Sequence, residues 1–363
     1  MFSLALMSTV NSRAQTAADR IDSLLEKFSR PRDPGCAVLV IQDGRAAFQK
    51  GYGVTDLRTL TPITPETNFR LASLTKQFTA MAVMLLVHDG KLRYEDRLTD
   101  VFPDFAAYGK QITIRHLLNH TSGLIDYEDI LDKQYQGISD EKRPQIKDAG
   151  VLDLLMKQNK TKFTPGTQWD YSNSGYAVLA MIVEKKSGLS FGEFLRTKIF
   201  VPVGMTQSVA YEKGKNDVAH RAYGHTHSAD GWHETDQSST SAVLGDGGIY
   251  TSLTDLAKWD HTLTNHILLS EKEMAAAYIS AAGSGGAPLT KPDGSRAPLY
   301  GFGWFLDAYD GHRRYSHYGE TVGFRTAIQR FPDDRLTVVV LCNRAEVDAP
   351  DLAQTIAAFY LGK

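Results

Sequence analysis

Phe324-Arg-Thr-Ala-Ile-Gln-Arg-Phe331, then Pro332-Asp333-Asp334-Arg335, then Leu336-Thr-Val-Val-Val-Leu-Cys342, is the stretch that decides the fold. The two outer segments read as strands, and Pro332-Asp333-Asp334 makes a tight turn between them, which predicts an antiparallel hairpin. Just upstream, Phe302 to Ala308 and Arg313 to His317 read as two more strands. At the other end of the chain, Cys36-Ala-Val-Leu-Val-Ile41 suits a buried strand. Asp43-Gly44 is a tight-turn signal, and Ala46 to Tyr52 would return as its partner. A lone hairpin is marginal in water. The expectation is therefore one antiparallel sheet assembled from both chain ends. Asp19 to Phe28, with Ile21, Leu24, Leu25 and Phe28 on one stripe, and Ala349 to Leu361 are expected as helices covering one face of it. Cys36 opens the first strand and Cys342 closes the last. If those strands are neighbours the two residues lie close; the spacing leaves open whether they are bonded.

Residues between about 94 and 291 read as helices and long loops. Gly175 to Lys186 is a helix stopped by Gly188, Ser190-Phe-Gly-Glu193 caps the next, and Ser252 to Leu263 is another. The expected class is α+β. Sheet-forming parts at 19–93 and 292–363 enclose a mostly helical insertion at 94–291, all within a single unit from 19 to 363. A cleft between the two parts is the expected place for a site.

Bulk properties exclude several classes. With 363 residues, a net charge of −2 and both signs interspersed, the chain has no global field for nucleic acid or an anionic membrane. No apolar run is long enough to span a bilayer. Two cysteines rule out a disulfide scaffold and a multi-cysteine zinc site. Met1 to Val10 is mostly apolar, and Ser12-Arg13-Ala14 fits a small-x-small cleavage site, although a basic leader region is missing. Residues 1–18 are accordingly read as a signal remnant or a tail. The first alternative implies a periplasmic or secreted protein, the second leaves the cytoplasm open.

The chemistry centres on Phe69-Arg-Leu-Ala-Ser73-Leu-Thr-Lys76-Gln-Phe-Thr-Ala80. Helical periodicity continues through Met81, Met84, Leu85 and Val87 to Gly90, so Ser73 sits at a helix start with Lys76 one turn on. A serine hydroxyl needs a base within hydrogen-bond reach, and a lysine serves if burial lowers its pKa. Backbone N–H groups of the helix start would face negative charge developing on a substrate oxygen. Ser-x-x-Lys alone is a weak signal: Ser139-Asp-Glu-Lys142 matches too, in a polar stretch that reads as surface loop. An N-cap serine beside a snorkelling lysine would explain Ser73 and Lys76 without any chemistry.

Two further segments shift that balance: Trp169-Asp-Tyr171-Ser-Asn173-Ser-Gly175 before a helix, and Tyr315-Ser-His317-Tyr-Gly319-Glu320 on an expected strand. In this order the three segments resemble the serine β-lactamase and penicillin-binding protein superfamily. The nearest likeness is to the class C β-lactamase, D-alanyl-D-alanine carboxypeptidase and esterase group, with Tyr-x-Asn second and Lys/His-x-Gly third. Leu117-Leu-Asn-His-Thr-Ser-Gly-Leu124, Gly245-Asp-Gly-Gly-Ile-Tyr250 and Tyr300-Gly-Phe-Gly-Trp304 support it. The resemblance implies a β-lactamase/transpeptidase-like fold and a catalytic set. Ser73 attacks a carbonyl, Lys76 takes its proton, Tyr171 relays protons to the leaving group, and Asn173 orients Lys76 and substrate. His317 and Gly319 line the substrate from the sheet edge. The backbone N–H groups of Ser73 and Glu320 form the oxyanion hole. No metal or cofactor is implied; the partner is a small-molecule or peptide substrate, and the oligomeric state is not legible.

His317 stands where class C β-lactamases carry lysine, and Tyr318 replaces threonine. A mostly neutral side chain there argues against efficient β-lactam hydrolysis and for a peptidase or esterase. If His317 does read a carboxylate, it would do so as an imidazolium, with a raised pKa. A class C-like β-lactamase is the alternative enzyme, and a penicillin-recognising protein without turnover is the alternative from another class. Gly188-Leu-Ser190-Phe-Gly192 matches the hydrolase elbow but joins two helices. His220, His225, His227 and His233 lie in a polar stretch and read as solvated rather than metal-binding. Ser122 reads as a turn residue, and Asp246 as part of a Gly-rich backbone bend.

Overall fold

The computed structural model describes residues 17–362; the apolar leader-like segment lies outside them. Six strands form one antiparallel sheet in the order Arg45–Tyr52, Cys36–Gln42, Leu336–Cys342, Phe324–Phe331, His312–Thr321, Phe305–Tyr309. Both ends of the chain thus meet in its centre. Asp43 and Gly44 turn the first hairpin with φ of 52° and 74°, the left-handed pair that matches strand twist.

Period-two alternation divides the central strands between two cores. Val338, Val340 and Cys342 face the helical residues 17–25 and the Ala349–Ala357 helix, beside Ile21, Leu25, Leu352 and Ile356. Val339 and Leu341 face the larger core built with the inserted region. Because both faces are covered, Leu336–Cys342 is buried throughout and apolar except at Thr337, whose hydroxyl donates to Asp260, rather than alternating. Each fully buried valine there stabilises the fold by roughly 1.5–3 kcal/mol. Cys36 pairs directly with Cys342, their Cα atoms are 4.0 Å apart, and the two form a disulfide.

Helices dominate residues 94–291, including Asn173–Ser187, ended by Gly188 at φ 76°, and Leu253–Thr264, capped by Ser252. Two small sheets also involve this region, one of them with a strand from outside it, and the helix-and-loop reading lacked both. Phe69–Arg70, Ile249–Thr251 and Val209–Ala210 pair as one, and His225–Ser228 pairs with Gly231–Glu234 as the other. Strands of two to four residues are too short for their period to show, and long-range pairing alone creates the first of them. That small sheet has a purpose for the site: Arg70 pairs with Tyr250, and Leu71 N–H donates to Ile249 O at 2.8 Å, which holds the chain entering Ser73.

Candidate active site

Ser73 lies in a 3-10 turn, Ala72–Thr75, that runs straight into the Lys76–His88 helix. Ala72 takes φ 49°, a left-handed conformation that costs a non-glycine residue of order 1 kcal/mol. The flanking contacts hold it there. Leu71 O accepts from Thr326 Oγ1 at 2.7 Å, tying the turn to the sheet. Gly319 closes the gap from the sheet side. A Cβ added to it would lie 2.2 Å from Leu71 O, 2.5 Å from Thr326 Oγ1 and 3.0 Å from Ser73 N. Only glycine lets the His312–Thr321 strand bring its Gly319–Glu320 backbone this close to the Ser73 amide.

Lys76 is fully buried, and its Nζ donates to Ser73 Oγ at 3.0 Å, Asn173 Oδ1 at 2.8 Å and Asp246 O at 3.0 Å. Burial pushes its pKa down to about 8, against the pull of the Asp246, Asp126 and Glu128 carboxylates. The neutral amine is thereby favoured relative to an exposed lysine, with a lone pair free to accept the Ser73 proton. Nζ also lies 4.9 Å from the Tyr171 ring centre.

Tyr171 and Asn173 straddle the N-cap of the Asn173–Ser187 helix, where Ser172 Oγ accepts from Gly175 N. The segment is stitched to residues 120–127. His120 Nδ1 accepts from Ser172 N at 3.1 Å, His120 O accepts from Asp170 N, and Asp126 Oδ2 accepts from Asn173 N at 2.9 Å. Burial pushes the Tyr171 phenol well above its ordinary range, with the Ser73 hydroxyl beside it pulling the other way. Tyr171 is therefore a neutral phenol at any working pH, suited to pass a proton rather than to hold one off.

His317 departs from expectation. Its Nδ1 lies 2.7 Å from Tyr318 O and must donate to it; Nε2 lies 3.0 Å from Tyr300 Oη and so accepts. Both ring nitrogens are occupied. Burial, and secondarily the Lys76 charge, push the imidazole down to about 3. His317 is a doubly bonded wall residue, 2% exposed, and these surroundings favour the neutral imidazole over the expected imidazolium. The deciding partner, Tyr300, is seventeen residues upstream, inside a motif noted only for its likeness.

Asp246 is the residue most undervalued by sequence reading. Its carbonyl is the third acceptor of Lys76, and its carboxylate, 7% exposed, accepts from Tyr127 Oη at 2.9 Å. Glu128 was also missed. It is exposed at the cavity wall, and partial desolvation, then the charges of Asp246 and Asp126, push its carboxyl up. Of the serines set aside, Ser190 caps Phe191–Leu195, Ser139 precedes an exposed 3-10 turn, and Ser122 Oγ accepts from Leu124 N.

A cavity of about 50 Å³ opens over Ser73, walled by Asn173, Tyr127, Glu128, Asp246 and Glu320, with Arg70 at its side. Arg70 is committed: Nε, Nη1 and Nη2 donate to Gly247 O, Ser241 Oγ and Ser241 O. A larger hollow, about 810 Å³, runs along the outer sheet edge and shares with this site only His317 and Tyr318.

A serine, a buried lysine, a tyrosine and an asparagine thus meet at a sheet edge, and the family model described as Beta-lactamase matches residues 21–361. The chain belongs to the beta-lactamase family. Among curated members it is 31% identical over 345 residues to Penicillin-binding protein 4* of Bacillus subtilis, covering 92% of this chain and 73% of that one. A D-aminopeptidase of Brucella anthropi is 29% identical over 354 residues, but the chain spans only 62% of its length. The octameric penicillin-binding protein homologue from Pyrococcus abyssi superposes with a TM-score of 0.78 at 27% identity, covering 95% of this chain and 77% of that one. This family member therefore shares the sheet-plus-helical-insert architecture along nearly its whole length.

Proposed function

We propose that this beta-lactamase-family protein is a serine hydrolase that works through an acyl-enzyme. The observation that carries the reading is the buried Lys76 amine, shared between Ser73 Oγ and Asn173 Oδ1. Neutral Lys76 takes the hydroxyl proton as Ser73 Oγ bonds to the substrate carbonyl carbon. The resulting oxyanion is met by the Ser73 and Glu320 amides at the gap that Gly319 keeps narrow. Tyr171 hands a proton to the departing amine or alcohol as its bond to carbon breaks, leaving the Ser73 ester. Water then attacks that ester and gives its proton to the Tyr171 oxygen; as the Ser73 Oγ–carbon bond breaks, Lys76 returns its proton to Ser73 Oγ, and the acid is released with both groups restored.

The substrate class follows from charge. With His317 neutral and Arg70 committed, no cation among the described residues that line the cavity is left free to hold a substrate carboxylate, Lys76 lying beneath it as the base, while Glu128, Asp246 and Glu320 face it. Carboxylate-bearing β-lactams and D-alanyl carboxypeptidase substrates fit this poorly. Esters fit, and so do amides whose acyl part carries an ammonium group for Glu128, which accords with the D-aminopeptidase likeness. An extracytoplasmic location accords with the Cys36–Cys342 disulfide.

The test is covalent capture with a substrate panel. An activated phosphonate should label wild type at Ser73, and Ser73→Ala should take no label; mapping to another serine would sink the mechanism. The panel compares an aryl ester, an aminoacyl anilide, its N-acetyl derivative and a chromogenic cephalosporin. The free amine should outrun its acetylated form by about tenfold or more, and Glu128→Gln should erase that preference. Cephalosporin turnover faster than the ester would favour the β-lactamase alternative.

A further inference from the structure

We propose that the charge of the Asp246 carboxylate, rather than its hydrogen bonds, fixes the pH at which Lys76 gives up its proton. The inference rests on Lys76 being the base. Asp246 lies in the four-residue turn Leu244–Gly247, 7% exposed, with its carbonyl on Lys76 Nζ. The turn is held in place from several sides. Leu244 N and Gly245 N donate to Asp148, Thr79 Oγ1 donates to Gly245 O, and a Cβ on Gly245 would lie 2.4 Å from Tyr176 O.

Asp126 and Asp148 are the carboxylates that act on Asp246, and the three differ in what stabilises them. Asp126 accepts two backbone N–H groups, from Glu128 and Asn173, and Asp148 likewise two, from Leu244 and Gly245. Asp246 has the neutral Tyr127 hydroxyl alone, and among the described residues no arginine, lysine or histidine nitrogen forms an ion pair with it. A buried carboxylate without backbone donors or an ion-pair partner depends on the nearest cation, which is Lys76.

The other groups facing this pair do not substitute for it. Tyr171 and Tyr127 are held as neutral phenols, His317 and His120 as neutral imidazoles, Glu128 is exposed at the cavity wall, and Arg70 donates to Gly247 and Ser241. In accord with this, Asp246 leads the charges that pull Lys76 upward against burial, and Lys76 leads those that pull Asp246 downward, although burial still leaves that carboxyl above its ordinary range. Two groups so linked lose protons as a pair, in two macroscopic steps.

The experiment is Asp246→Asn, which keeps an oxygen acceptor for Tyr127. The pH profile of kcat/KM is measured with an aryl ester that has no titrating group. Without the carboxylate, Lys76 deprotonates more readily, so the acid limb should move down by about one pH unit, with a gain in rate of up to about tenfold between the two wild-type steps, where Asp246 is ionised and Lys76 still protonated. A limb that stays in place, whatever the plateau does, overturns the proposal. Should the variant fail to fold, lysine 13Cε titration of the folded Ser73→Ala protein decides instead: two inflections for Lys76 are expected, and a single-site curve overturns it. Failure here is distinct from failure of the acyl-enzyme reading, which loss of phosphonate labelling at Ser73→Ala tests separately.

Discussion

Gly319→Ala tests how the nucleophile is positioned. The new Cβ would fall 2.2 Å from Leu71 O and 2.5 Å from Thr326 Oγ1, with Ser73 N at 3.0 Å. Leu71 O cannot swing aside, because its residue is bonded on both sides: its N–H to Ile249 O, its carbonyl to Thr326. Relief to ordinary van der Waals separation therefore needs the sheet edge and the Ser73 turn to part by about 1 Å, at a cost typical of overpacking, about 1–3 kcal/mol. That same displacement widens the space between the Ser73 and Glu320 amides, and about 1 Å of misplacement costs on the order of a hundredfold in rate. The expected result is a folded protein with a lower Tm and kcat/KM reduced about a hundredfold, falling mainly in kcat because the lost contact is made to the oxyanion. Circular dichroism melting and steady-state hydrolysis of an aryl ester measure the two. A variant with near wild-type kcat would refute the argument that the narrow gap at Gly319 builds the oxyanion site.

His317 gives a sharp pH prediction. Because its imidazole stays neutral down to about pH 3, the ratio of kcat/KM for a carboxylate-bearing substrate to that for a neutral ester should be flat between pH 5 and 8. A ratio that falls as pH rises through 6 to 8 would restore the imidazolium reading. The disulfide ties residues 306 apart in sequence, so chain entropy assigns it up to about 5 kcal/mol. Cys36→Ser with Cys342→Ser, or reductant, should lower the urea midpoint of wild type markedly while leaving ester hydrolysis at low denaturant nearly intact; an unchanged midpoint would show that the closed loop is already restrained in the unfolded chain.

Sequence by itself determined the sheet and singled out the candidate site residues. The runs at Cys36–Gln42 and Leu336–Cys342 are buried on both faces, so near-continuous apolarity announces them whatever the surroundings. Ser73 and Lys76 are one helical turn apart, and Tyr171 and Asn173 flank one N-cap; local spacing carries both pairs. Their meeting needed more than local signal, and the resemblance supplied it. What only tertiary structure decided is the electrostatics. Whether His317 carries a charge depends on Tyr300 and on a buried lysine contributed by another element. Whether Asp246 is a bend residue or a charge under Lys76 depends on the depth at which its turn is packed. Residue type sets which protons exist, but burial and long-range neighbours set where they reside, and neither is written in the order of residues along the chain.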